Sequence, residues 1–236
     1  MLSGKLAIVT GGTRGIGQAI ALELQNKGAE VLITGTQSNF SPKNKFRYFG
    51  VDFSDRQATL EFAAMLREVE PDILINNAGI NKIMAFDEIP LEDFDKVQQI
   101  NQYAPFMLCQ AVIPKMKEKA WGRIVNICSI WGKISKEYRA SYSTSKFALD
   151  GMTSALSAEV SQYGILANCV SPGFIDTELT RSVLGENGIN KLLSQVPVGR
   201  MGSVEEIAKF VVWLSSTENT YITGQNIAID GGFTRV

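Results

Sequence analysis

Two hydrophobic periods alternate along this chain. Short runs dense in β-branched and aromatic residues (LAIVT, EVLIT, FRYFGV, DILINN, RIVNICS, LANCVS and QNIAI) are separated by longer stretches in which apolar residues recur every three or four positions, as in IGQAIALELQNKG. The first kind suits strands covered on both faces, and the second suits helices with one apolar stripe. Their alternation predicts an α/β architecture: a doubly wound, seven-stranded parallel sheet with helices on both faces. No repeat, low-complexity tract or linker interrupts the pattern, so residues 1–236 are read as a single domain.

Local signals refine this outline. Ser54 with Gln57, and Ser203 with Glu206, have capping-box spacing, and Pro71 closes the helix that begins near Asp55. Two connections depart from the regular pattern. Between the second run, ending near Gly35, and the third, starting near Phe46, the segment QSNFSPKNK is too short for a crossover helix and predicts a loop or a single turn. From Phe174 to Met201, Gly185, Gly188, Pro197 and Gly199 flank one short apolar stretch, INKLLSQV, which suits a lid over a site.

Composition matters mainly by what it excludes. With 23 basic against 24 acidic side chains, nothing pulls the chain toward nucleic acid or an anionic membrane. No run approaches the roughly 20 apolar residues that span a bilayer. The apolar run LAIVT is too short for a signal peptide and leads straight into a glycine-rich turn, so the reading is a first strand and a cytoplasmic protein. Cys109, Cys128 and Cys169 lie far apart in apolar surroundings and read as reduced core thiols, with no metal site. The chain has no histidine, which removes Ser-His-Asp and Cys-His machinery and leaves acid-base chemistry to Tyr, Lys, Asp or Glu.

The first strand is followed by Thr10-Gly11-Gly12-Thr13-Arg14-Gly15-Ile16-Gly17, which opens into an amphipathic helix. Glycines at this place allow a tight turn and let backbone amides approach a pyrophosphate resting on the positive end of the helix, the dinucleotide site of a Rossmann fold. After the second strand comes Thr34-Gly35-Thr36-Gln37-Ser38, with no acid to accept hydrogen bonds from a free ribose 2′-hydroxyl. Arg14 supplies a cation for a 2′-phosphate, so NADP(H) is favoured over NAD(H).

Tyr142 and Lys146 stand four residues apart in a helix that starts near Ser141, which places a phenol and an ammonium on one face. The ammonium favours the phenolate and makes Tyr142 usable as an acid toward a nascent alkoxide. Ser129 ends the fifth strand and therefore emerges into the ligand crevice, where its hydroxyl can hold a carbonyl. Asn101 lies in the preceding helix.

Taken together, TGGTRGIG, NNAG at Asn76 to Gly79, Asn101, Ser129, Tyr142-SerThrSer-Lys146 and Pro172-Gly173 resemble the short-chain dehydrogenase/reductase family over essentially the whole chain. The resemblance implies a catalytic tetrad: Ser129 orienting the carbonyl, Tyr142 protonating it, Lys146 holding the nicotinamide ribose, and Asn101 holding a water of the proton relay. It also implies adenine contacts at Asp52 and Phe53, an adenosine side lined by Asn77, Ala78 and Gly79, and carboxamide contacts at Ile175 and Thr177. Asn77 is expected to stabilise the central sheet as well. Within the family, GTQS, PGFIDTELT, VPVGRMGSVEEIAKFVVWLSS and YITGQNIAIDGG are most similar to bacterial 3-oxoacyl-(acyl-carrier-protein) reductases, and in such relatives the last stretch helps to build a tetramer. The implied substrate is a 3-oxoacyl thioester, with an acyl carrier protein as partner. Alternatives are a sugar, polyol, steroid or small alcohol, or a dinucleotide-sensing protein without turnover. Trp131, Ile134 and Tyr138 are expected to shape the substrate pocket. Tyr163 stands where some carrier-protein reductases have a basic residue, while Arg123, Lys115, Lys117 and Lys119 keep an electrostatic case for docking, set against the plainer reading of a solvated helix end.

Overall fold

The computed structural model describes residues 2–38, 40–42, 44, 46–177, 180, 188–189 and 193–236. The seven runs become β1 (Leu6–Val9), β2 (Glu30–Gly35), β3 (Arg47–Gly50), β4 (Ile73–Asn76), β5 (Gly122–Ile127), β6 (Ile165–Pro172) and β7 (Asn226–Ile229), all in one sheet of order β3-β2-β1-β4-β5-β6-β7. Every neighbouring pair is parallel. The described helices are α1 (Gly15–Asn26), α2 (Arg56–Val69), α3 (Leu91–Gln98), α4 (Ala104–Glu118), α5 (Ala140–Val160) and α6 (Val204–Leu214). None of the described helices is long and apolar enough to cross a membrane.

Successive residues of a strand serve different cores, as the pleat requires. Ala7 and Val9 pack with Ile20 and Leu24 of α1 and Val211 of α6, whereas Ile8 packs with Phe62 and Leu66 of α2 and with Leu108 and Val112 of α4. Strand order reverses at β1, which has β2 on one side and β4 on the other. The connections there leave in opposite directions and open a crevice at the carboxyl ends of the strands.

The local signals mostly hold, with one shift. Ser203 and Glu206 form the expected reciprocal capping box of α6. At α2 the cap is Asp55 rather than Ser54: its carboxylate accepts from the amides of Gln57 and Ala58 at 2.8 and 3.2 Å. The Ser54 amide is instead turned toward the Asp52 carboxylate, at 2.9 Å, which delays the helix by one residue. Glu70 ends α2 in a left-handed conformation (φ 50°) just before Pro71, which disfavours helix in the residue it follows. The short β2 to β3 connection holds no helix among the described residues; Tyr48 closes it by donating to the Gln37 carbonyl and packing on Phe40. Residues 178, 179, 181–187 and 190–192, which form part of the expected lid, lie outside the described residues.

Candidate active site

The glycine loop is built from backbone and from missing side chains. A Cβ on Gly17 would lie 2.4 Å from both the Asn77 amide nitrogen and the Gly11 carbonyl, and one on Gly12 would lie 2.7 Å from Ile33. Gly11 has φ 63° and gives its amide to the Thr34 hydroxyl at 3.1 Å. Asn77 donates to the carbonyls of Thr10 and Gly11 at 2.9 and 3.1 Å, and its own amide, like that of Ala78, is accepted by the Thr10 hydroxyl. Asn77 therefore does fasten β4 to the loop. Arg14, exposed, occupies the N-cap position of α1 without capping it, so among the described residues no side chain is seen to cap the first amides of the helix. Thr36 is exposed at the end of β2. The Ser54 amide holds the Asp52 carboxyl below the ordinary carboxylate range, and Phe53 is buried against Phe62. At the far side of the loop, Thr177 lies 4.0 Å from where a Gly15 Cβ would be, and Ile175 bridges to Gly202. Gly173, after Pro172, passes so close to Asp230 that a Cβ would meet its backbone at 2.7 Å. Open amides, an uncapped helix end and a loop without room for side chains suit the pyrophosphate of a dinucleotide.

The other half of the crevice is built from polar side chains held by backbone groups. Lys146 is buried and donates to the Ile127 carbonyl at 2.8 Å, with its ammonium 5.7 Å from the centre of the Tyr142 ring. Two of its three protons stay available. A Cβ on Gly79 would lie 3.6 Å from this ammonium and 3.2 Å from the Asn101 side-chain oxygen, which joins the end of β4 to the same place. Ser129, at the head of a short 3-10 turn, accepts from the Trp131 amide at 3.2 Å, which leaves its hydroxyl proton free to donate. Asn101 lies in a π-helical turn, Gln99–Tyr103, between α3 and α4, rather than inside a regular helix. Its amide nitrogen donates to the Ile80 carbonyl and to the Ser145 hydroxyl, and its oxygen accepts from the Ile80 amide. Ser145 passes the link on to the Tyr142 carbonyl at 2.7 Å.

Two features escaped the sequence reading. Ser145 sits inside the motif that carries Tyr142 and Lys146 but had been given no part. The Asn101 side chain is held at both ends, its nitrogen by the Ile80 carbonyl and the Ser145 hydroxyl and its oxygen by the Ile80 amide. The docking argument for Arg123 is corrected. Its guanidinium is buried and donates to the carbonyls of Gly122, Gly164, Ser216 and Asn219, so it cannot meet a partner. The lysines are also engaged: Lys115 with Glu118 and Glu70, Lys119 with Asp72, and Lys117 over the ring of Tyr163. All three cysteines are buried and unpaired, and burial pushes the Cys109 thiol up to about 12. A cavity of about 460 Å³ between α1 and α6 borders the loop through Gly15 and Thr177 but touches neither Tyr142 nor Ser129.

Comparisons with known proteins agree with this geometry. Residues 11–234 match the family described as enoyl-(acyl carrier protein) reductase. The chain is 39% identical to the 3-oxoacyl-(acyl-carrier-protein) reductase FabG of Aquifex aeolicus over 243 residues, covering 98% of each chain. It is 37% identical to the enzyme of that name from Escherichia coli over 238 residues, covering 97% of each. Among solved structures it is similar to a protein named as an NAD(P)-dependent gluconate 5-dehydrogenase from Beutenbergia cavernae with bound NADP, with 29% identity, a TM-score of 0.93, and coverage of 100% of this chain and 98% of that one. A 4-hydroxyisoleucine dehydrogenase complexed with NADH shares 30% identity at a TM-score of 0.92, covering 99% of this chain and 100% of that one.

Proposed function

Because the chain belongs to the short-chain dehydrogenase/reductase family and is an oxidoreductase of that family, we propose that it uses NADP(H) to reduce the ketone of a 3-oxoacyl thioester to a secondary alcohol. The observation that carries this reading is the buried Lys146 ammonium beside the Tyr142 ring, at the crevice that the glycine loop also lines. Gly11, Thr13, Arg14, Gly15, Ile16 and Gly17 would take the pyrophosphate side, Asp52 and Phe53 the adenine, Asn77 to Gly79 the adenosine side, and Pro172, Gly173, Ile175 and Thr177 the nicotinamide end. Arg14 and Thr36, with no acid at the end of β2, favour the 2′-phosphate. When bound, the cofactor supplies a hydride. Ser129 holds the carbonyl oxygen by its free hydroxyl proton, Tyr142 gives a proton to that oxygen, and Lys146 uses its remaining donors on the ribose. Asn101 positions α5 through Ser145 and holds a water of the proton relay.

Support for the thioester comes from the names of the curated relatives, and an acyl carrier protein as its donor rests on those names and not on Arg123. A second reading keeps the chemistry on a sugar acid, as the name of a structural relative suggests. A cytoplasmic homotetramer belongs to the same proposal: Tyr103, Phe106 and Phe147 expose large apolar surfaces that an assembly would cover, which light scattering tests. The deciding experiment follows NADPH consumption with a short 3-oxoacyl thioester, a sugar acid and a wider carbonyl panel. No turnover with any of them overturns the reading and leaves dinucleotide sensing.

A further inference from the structure

Two buried arginines in this protein are treated in opposite ways. Arg123 gives its guanidinium to four backbone carbonyls and is saturated. Arg139 is half-buried, and among the described residues its Nε has no hydrogen-bond partner and no carboxylate lies within ion-pair distance of it. Burial holds its pKa below the usual arginine value. A partly desolvated cation left without an anion carries a cost, and Arg123 shows how this protein satisfies an arginine that serves structure alone.

Its surroundings suggest what it is for. Arg139 immediately precedes α5 and stands three residues ahead of Tyr142. Its guanidinium lies 5.9 Å from the centre of the Trp131 ring, and Trp131 follows Ser129 by two residues. Trp131 meets Phe174 and Phe233 edge-on at 6.2 Å each, and those two rings meet at 5.0 Å. A substrate whose carbonyl lies between Ser129 and Tyr142 therefore has an aromatic wall on one side and, at one end of that wall, the half-buried Arg139 guanidinium. A carboxylate fits this planar fork with two oxygens, which a neutral ester cannot do.

The geometry points to Arg139 as a specificity-determining residue that binds a carboxylate on the substrate a short distance from the reacting carbonyl, so that short oxo-carboxylates are substrates in their own right. The inference rests on the carbonyl-reduction reading above and adds a second substrate class, short oxo-carboxylates, to the same site. Its test pairs 3-oxobutanoate with its methyl ester, each with NADPH, in the wild type, Arg139→Gln and Arg139→Lys. The acid is expected to exceed the ester in kcat/KM by about tenfold or more, the scale of one charge-assisted hydrogen bond. That acid-to-ester ratio should fall at least about tenfold in Arg139→Gln and be partly kept in Arg139→Lys, mainly through KM. An unchanged ratio in Arg139→Gln overturns the inference. Calorimetry on the NADP⁺-loaded protein with 3-hydroxybutanoate and its methyl ester separates this inference from its premise. Absence of turnover with every carbonyl defeats carbonyl reduction, while tighter binding of the acid that is lost in Arg139→Gln still upholds Arg139. Equal binding of acid and ester overturns Arg139's role whatever the turnover.

Discussion

The two halves of the crevice are made by opposite means. On the β1–β4 side, the site is an absence: Gly11, Gly12 and Gly17 leave backbone bare, and an added methyl group on Gly17 or Gly12 would collide with Asn77, Gly11 or Ile33. On the β5–β6 side it is a set of presences: Ser129, Tyr142, Lys146 and Asn101, of which Lys146 and Asn101 are tied to backbone carbonyls and Ser129 to a backbone amide. The first half should therefore fail when atoms are added, and the second when groups are removed. Recognition of an invariant anion needs only fixed amides, whereas proton transfer needs particular functional groups.

The largest effect should come from deletion on the second side. Tyr142→Phe removes only the transferable proton, so kcat should fall about a hundred- to ten-thousand-fold while NADPH affinity stays close to that of the wild type. A variant of equal activity would end the proposed role. The matching addition on the first side is Gly17→Ala, expected to cost about 1–3 kcal/mol through forced movement of the loop. That loss should be read as weaker cofactor binding with kcat at saturation better preserved than in Tyr142→Phe. If kcat collapses at saturating cofactor, the halves are not separable in this way.

A smaller effect is expected where the first half uses a side chain after all. Arg14→Ala should reduce the preference for NADPH over NADH by about tenfold, the scale of a single charge-assisted contact, as measured by the ratio of the two kcat/KM values. Preference for NADH in the wild type would refute the cofactor assignment.

How much of this was legible beforehand follows from what each feature depends on. The strands could be read because burial on both faces leaves unbroken apolar runs, and the glycine loop because each glycine answers a local need. Asp55 displaced Ser54 as a cap because Asp52 takes up the Ser54 amide, a competition between neighbours that spacing rules do not weigh. Arg123 and Arg139 look equivalent in the sequence as isolated cations. Only the tertiary structure distinguishes them, since the carbonyls that satisfy Arg123 include those of Gly164, Ser216 and Asn219, far along the chain.

The smallest effect lies outside the crevice and serves as a control on both halves. Glu206 is exposed, and its carboxyl is held down to about 2 by its contact with Arg200 and by the Ser203 amide. A lowered folded-state pKa means that this stabilisation is present above the ordinary carboxylate range and is lost as pH falls toward 2. Glu206→Gln should therefore lower Tm slightly at neutral pH, with the difference from wild type closing between about pH 4.5 and 2 and NADPH affinity unchanged. A gap that persists at the acid end would mean that the packing of α6, and not the charge, was at fault.

Phe233 closes the aromatic wall beside Trp131 and Phe174, and the segment that carries it is anchored by Asp230, which accepts from the Thr234 amide and hydroxyl. A polypeptide cut after Ile229 would keep the glycine loop and every acid-base group yet bind its substrate in an unfinished chamber.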